Sequence, residues 1–170
     1  MELKKYIRNI PDFPKRGIMF RDITPLLKEP EPFAYVINTI VERYRPKNVN
    51  KVVSVEARGY IFGGALAYNL GCGFIPVRKP GKLPDKTISM EYTLEYGKNV
   101  IEIHRDAINP GERILVFDDL LATGGTIWAT CKLVEKLEGK VIGCAFVIDL
   151  TYLGGKEQLK DYDVYTLIEY

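Results

Sequence analysis

The stretch RILVFDDLLATGGT, Arg113 to Thr126, decides the fold. Its first five residues are an apolar run rich in branched side chains, which reads as a strand buried on both faces. Two adjacent carboxylates, Asp118 and Asp119, follow directly, and then a glycine pair flanked by Thr123 and Thr126. The residues after the glycines carry Ile127, Cys131, Val134 and Leu137 on one stripe, at the spacing of an amphipathic helix. A buried strand, a tight glycine turn and a helix together predict one unit of an α/β sheet.

Working outward, the same grammar repeats. KVVSV, Lys51 to Val55, predicts a strand, EARGY a turn, and IFGGALAYNL a helix closed by the glycines of GCG. FIPV and VIGCAFVIDL predict two further strands. Strands alternating with helices, and apolar throughout, imply one open parallel sheet flanked by helices. Upstream, Phe33, Val36, Ile37, Ile40, Val41 and Tyr44 recur at helical spacing from Pro32. The first ten residues predict a short helix with Leu3, Tyr6, Ile7 and Ile10 on one face, broken by PDFPKRG. One segment departs from the pattern. Between FIPV and RILVF, TISMEYTLEYGKNVIEIH alternates in the β manner around Gly97, predicting a hairpin-like excursion of the kind used for lids and binding loops.

The chain has 170 residues, 46% hydrophobic and 27% charged, the profile of one globular domain. Its 24 basic and 22 acidic residues leave a net charge of +2, which argues against a nucleic-acid partner. No apolar run suits a membrane span or a leader, so no membrane partner is expected. Cys72, Cys131 and Cys144 follow no disulfide or zinc spacing, and free thiols point to the cytoplasm. His104, the one histidine, has no ligand set around it and reads as surface or loop.

The paired acids and the glycine turn together suggest a ligand. In an open α/β sheet, ligands bind beyond the carboxyl ends of the strands. The N–H groups at a helix start attract phosphate, whereas ionised carboxylates accept from hydroxyls such as those of a ribose. A ribose 5-phosphate satisfies both, with the sugar over the acids and the phosphate in the turn. For DD or TGG alone, a helix cap and a plain turn would be the better reading. No lysine follows the glycines, which excludes a Walker-type loop.

This constellation resembles the phosphoribosyltransferases of the type I fold. IPDFPKRGIMFRDITPLL, EARGYIFG, VRKPGKLP, LEYG and FDDLLATGGT fall in that family's order over nearly the whole chain and look like its adenine-using branch. Phe117 stands where Val or Ile often precedes the acids, a change of packing. The resemblance implies a single phosphoribosyltransferase domain over residues 1–170, with a hood segment at 1–30 and a flexible catalytic loop at 80–104. It implies that adenine and phosphoribosyl pyrophosphate become AMP and pyrophosphate, with Mg²⁺ held mainly through substrate oxygens, in a homodimer.

The residue roles below are likewise implied by the resemblance. Asp118 and Asp119 would bind the ribose and stabilise positive charge developing on it. Ala122, Thr123, Gly124, Gly125 and Thr126 would hold the 5′-phosphate, and Leu120, near the sugar site, would contribute to the contact with adenine. Arg58, in a turn shaped by Glu56, Ala57 and Gly59, would bind pyrophosphate; its plainer alternative is an ion pair with Glu56. Lys79 and Lys82 would add to that site, and Arg78 too, across a dimer interface. Glu95 would handle the purine proton, Tyr96 would close on pyrophosphate, and Phe20 and Arg21 would meet the base. A transferase for another purine, a non-catalytic sensor of ribose phosphates and a flavodoxin-like nucleotide binder are the competing readings.

Overall fold

The structure is a computed structural model that describes residues 1–94 and 97–170. It divides into two compact units, Met1–Thr39 and Ile40–Tyr170.

In the first unit a 3-10 turn at Leu3–Tyr6 gives way to strand β1, Arg8–Ile10, which pairs antiparallel with β2, Phe20–Asp22. The helix expected over the first ten residues therefore stops early. Ile7 is already extended, at φ −107° and ψ 121°, and Arg8, Asn9 and Ile10 register against Asp22, Arg21 and Phe20. Pairing with a segment ten residues away outweighs a weak local periodicity. PDFPKRG forms the connecting loop, where the Gly17 N–H donates to Asp12 Oδ1 at 2.7 Å. Helix α1, Thr24–Lys28, follows, and Asp22 Oδ1 accepts from the Thr24 N–H and hydroxyl. Helix α2, Pro30–Tyr44, begins one proline earlier than its spacing predicts and runs across the boundary between units with Val36, Ile37, Ile40, Val41 and Tyr44 buried.

The second unit is the predicted α/β sheet. Its elements are β3 (Lys51–Val55), α3 (Gly59–Leu70), β4 (Gly73–Val77), β5 (Thr87–Leu94), β6 (Gly97–His104), β7 (Arg113–Leu121), α4 (Gly125–Lys136), β8 (Lys140–Asp149), α5 (Gly155–Gln158) and β9 (Val164–Glu169). Five strands lie in the order β4-β3-β7-β8-β9, every pair parallel. Val52, Val53, Ser54, Ile114 through Phe117 and Cys144 through Ile148 have no exposure, as expected for strands covered on both faces. Phe62 of α3 packs on Phe117 of β7 with ring centroids 5.7 Å apart. The strand β9 carries no strong sequence signal because it is a half-buried edge.

The excursion after β4 is the expected hairpin. β5 and β6 pair antiparallel through eight residues, from Thr87 with His104 to Leu94 with Gly97. Tyr92, Ile101 and Ile103 join the core, with Ile88 and Met90 packed against it, while Ser89, Glu91 and Thr93 face outward. Among the described residues, its backbone meets the main sheet at a bridge between Arg78 and Glu102.

The chain moves to one side of β3 to make β4 and to the other side to make β7. That reversal opens a crevice at the carboxyl ends of β3 and β7, the place where such sheets bind ligands. Among the described residues, no helix is long and apolar enough to cross a membrane.

Candidate active site

Strand β7 runs four residues beyond RILVF, so Asp118 and Asp119 lie within the strand, ahead of Leu120 and Leu121, rather than in a loop. Asp118 registers against Phe146 and Leu121 against Asp149, which fixes both acids on a rigid element. Asp119 is 4% exposed, whereas Asp118 is half-buried at the cavity wall. Asp118 Oδ1 accepts the Asp119 N–H at 2.9 Å. Burial and the neighbouring Asp119 carboxylate together push Asp118 well above the usual carboxylate range. Burial also raises Asp119, but the Arg58 guanidinium works against it. Arg58 Nε lies 2.9 Å from Asp119 Oδ2. The plainer expectation, an Arg58–Glu56 pair, is replaced by this one.

Glu56 serves the basic loop instead. Its carboxylate accepts from Arg78 Nε at 2.8 Å and from the Lys79 N–H at 2.7 Å, and Arg78 also donates to the Lys82 carbonyl at 3.0 Å. Although burial raises the Glu56 pKa, these two donors hold it below the usual carboxylate range. The peptide bond between Glu56 and Ala57 is cis.

After β7, residues Ala122 to Gly124 turn into α4. Gly124 adopts φ 84°, and a Cβ there would meet the Gly155 carbonyl oxygen at 2.7 Å. Only glycine fits both demands. No side chain caps α4, so the N–H groups of its first turn keep their affinity for an anion. Thr126 already belongs to this turn, and its hydroxyl donates to the Tyr92 hydroxyl at 3.0 Å. A hollow of about 140 Å³ is lined by Asp118 and by residues 120 to 127, which brings together Leu120, Ala122, Thr123, Gly124, Gly125 and Thr126. A second cavity of about 400 Å³ shares Asp118 and Thr126 with the first and adds Glu56, Arg78, Lys79 and Tyr92.

Some of the predicted residues stand apart. Lys82 is exposed on the loop and lines neither cavity. Phe20 and Arg21 sit in β2 of the first unit, Phe20 edge-on to Phe13 at 5.1 Å and Arg21 hydrogen-bonded to Asn9. Glu95 and Tyr96 lie outside the described residues. His104 belongs to β6, with its Nε2 2.6 Å from the Pro84 carbonyl. Two residues escaped the sequence reading. Tyr92 looks like any inward residue of an alternating strand, and Gly155 is marked only by the glycine pair after β8. Gly155 backs the turn closely enough that a Cβ would collide with the Ala122 carbonyl and meet Leu121 at 2.8 Å.

The arrangement therefore offers adjoining carboxylates, an uncapped helix mouth and a basic loop around two cavities that share Asp118 and Thr126, suited to a phosphorylated polyol. Residues 26–169 match the phosphoribosyl transferase domain family. An adenine phosphoribosyltransferase of Halothermothrix orenii is 56% identical over 169 residues, spanning 99% of each chain. One from Thermosipho melanesiensis is 56% identical over all of this chain and 97% of its own. The crystal structure of adenine phosphoribosyltransferase from Thermoanaerobacter pseudethanolicus superposes with a TM-score of 0.96 at 51% identity, covering 99% of this chain and 98% of the other. The Saccharomyces cerevisiae enzyme, solved with an imino-altritol bisphosphate and adenine, gives 0.93 at 38% identity, covering 98% and 96%. The buried acids and the glycine turn thus sit on a scaffold shared over its whole length, and this chain belongs to the phosphoribosyltransferase family, in its adenine phosphoribosyltransferase branch.

Proposed function

We infer that the protein transfers the phosphoribosyl group of phosphoribosyl pyrophosphate to adenine, giving AMP and pyrophosphate. The observation that carries this reading is the pair of adjoining cavities that share Asp118 and Thr126, one lined by the 122–126 turn and the other by Lys79. The ribose lies over the acids and its 5′-phosphate enters the mouth of α4, held by Ala122 to Thr126 beside Leu120. Arg58, Lys79, Lys82 and Arg78 take the pyrophosphate. Arginine suits this because its planar fork matches phosphate oxygens.

In the reaction the bond from C1′ to the pyrophosphate oxygen breaks and a bond from C1′ to adenine N9 forms. Positive charge spreads over the sugar as the leaving group departs, as in glycoside cleavage. Asp118 and Asp119 stabilise that charge from fixed positions, without reorganisation at the moment of reaction. Glu95 accepts the proton lost from N9, Tyr96 closes on pyrophosphate, and the 80–104 segment excludes water. Phe20 and Arg21, in the 1–30 hood, receive the base.

Mg²⁺ fits a site of this kind. As a hard cation that takes oxygen ligands, it would be held mainly through the pyrophosphate and ribose oxygens of the substrate. When bound, the ion neutralises the leaving group's charge.

A homodimer is supported by the outer face of α3. Ile61 and Tyr68 are 47% and 86% exposed, and with Gly64 and Ala65 they form an apolar stripe at helical spacing. A second copy related by a two-fold axis would cover it. Tyr68→Glu should then yield monomers in sedimentation. Three free cysteines suit a reducing compartment, and we place the enzyme in the cytoplasm.

Pyrophosphate release tests the activity. With the sugar donor and Mg²⁺, adenine should support turnover, and hypoxanthine, guanine and xanthine should not. Release with one of the other bases alone would move the chain to another purine, and no release with any base would overturn the reading.

A further inference from the structure

Tyr92 stands at the centre of β5, buried, and it touches two consecutive residues of the α4 first turn. Its hydroxyl is 3.0 Å from Thr126 Oγ1, and its ring covers Gly125 so closely that a Cβ there would lie 3.2 Å from Cδ2. It lines the cavity that holds Asp118 and Lys79. It also lines an outer hollow of about 590 Å³ shared with Thr123, Gly125 and Trp128. One side chain of the hairpin is thus the wall between these two spaces and a prop for the phosphate turn.

A hydroxyl has one proton to donate and two lone pairs to accept with. In the structure Thr126 spends its proton on Tyr92. A phosphate in the α4 mouth accepts and does not donate, so it claims that proton. Thr126 Oγ1 is then left with lone pairs, and the Tyr92 O–H is the group in reach to fill one. The two-hydroxyl chain reverses its direction without moving a heavy atom, and each bond polarises the next.

We propose that Tyr92 is a positioning residue for the sugar phosphate: its hydroxyl aims the Thr126 donor at the phosphate and in doing so holds the β5–β6 hairpin on the occupied site. This rests on the phosphoribosyl reading of the 122–126 turn. The hairpin thereby responds to the sugar phosphate rather than to the base.

Tyr92→Phe removes the hydroxyl and keeps the ring over Gly125. The KM for phosphoribosyl pyrophosphate should rise about tenfold, the scale of one hydrogen bond coupled to a charged group. The KM for adenine and kcat should move far less. Ribose 5-phosphate should slow amide exchange across residues 87–104 in the unaltered protein and not in Tyr92→Phe. Thr126→Val cuts the same chain from its other end, so the double variant should be no worse than Thr126→Val alone.

An unchanged KM for the sugar donor, or ribose 5-phosphate protection that survives in Tyr92→Phe, would overturn the proposal. A fall in kcat with an equal rise in both KM values would reduce Tyr92 to packing and overturn it equally. Calorimetry separates this from failure of the underlying reading. If ribose 5-phosphate does not bind the unaltered protein, both fall; if it binds Tyr92→Phe with the same affinity, only the Tyr92 role falls.

Discussion

Arg58 Nε lies 2.9 Å from Asp119 Oδ2, so a cation from the turn after β3 is seated on the buried acid of β7. The pair joins the two strands at which the chain reverses direction. On the proposed reading, pyrophosphate would compete with Asp119 for the same guanidinium.

Removing Arg58 should change the pH profile as well as the rate. The guanidinium lowers the Asp119 pKa against the burial that raises it. Arg58→Gln removes the largest influence opposing burial and leaves only the hydrogen bonds to the carboxylate, so the Asp119 pKa climbs. The acid limb of kcat/KM should move to higher pH by about 1–3 units, the usual effect of one close opposite charge. A profile displaced only downward in rate would show that Arg58 does not govern this titration.

Asp118 sets activity against stability. Its raised pKa means that the folded protein retains a proton that the unfolded chain has released, across the window from the ordinary carboxylate value up to the raised one. Stability therefore falls as pH rises through that window. Asp118→Asn should flatten this dependence and stabilise the protein at neutral pH by on the order of 1 kcal/mol, or about 2–4 °C in Tm. The same change should cut kcat by about 10²–10³ and raise KM less. Calorimetry across pH and initial rates check the two halves separately.

Glu56 has the opposite sign. Its folded pKa lies below the ordinary value because the Lys79 N–H and Arg78 hold the charged form against burial. Its contribution is complete above the unfolded pKa and is lost as pH falls through the folded one. Glu56→Ala hands both donors to water, at a cost of about 1 kcal/mol. Sugar-donor affinity should weaken while that for adenine holds, measurable by equilibrium binding.

Gly155 should be intolerant of a single methyl group. The added Cβ would press on the Ala122 carbonyl and Leu121, and overpacking of this kind costs about 1–3 kcal/mol. Gly155→Ala should raise the KM for the sugar donor by about tenfold through displacement of the phosphate turn. An unaltered KM would mean that the turn does not depend on this support.

The thiols should divide into two classes. Cys131 and Cys144 are buried with Sγ atoms 3.5 Å apart, and their mutual hydrogen bond and burial raise the Cys131 pKa strongly. Neither should react with a thiol reagent until the protein unfolds. Half-buried Cys72 should be the first to react in the folded state.

The core of the fold was legible because its signals are local. The Val52–Val55, Ile114–Phe117 and Cys144–Ile148 runs are continuous, as strands covered on both faces must be, and the glycine pair marks the turn into α4. Ile7 to Ile10 misled because their partner strand, Phe20–Asp22, is remote in sequence. Val164–Glu169 left too weak a pattern as an edge strand. At the site, Asp118, Asp119 and Thr123 to Thr126 could be read from residue type and order. The Arg58–Asp119 pair, the service of Glu56 to Arg78 and Lys79, and the approach of Gly155 to Ala122 depend on which loops become neighbours, which spacing along one chain does not encode.

The β5–β6 ribbon leaves the sheet after β4, and among the described residues its backbone pairs with the sheet side at the Arg78–Glu102 bridge. Its inward residues Tyr92, Ile101 and Ile103 belong to the core, so an exchanged ribbon must carry matching side chains at those positions. Chimeras that swap it between related chains offer a direct way to retune turnover on an unchanged scaffold.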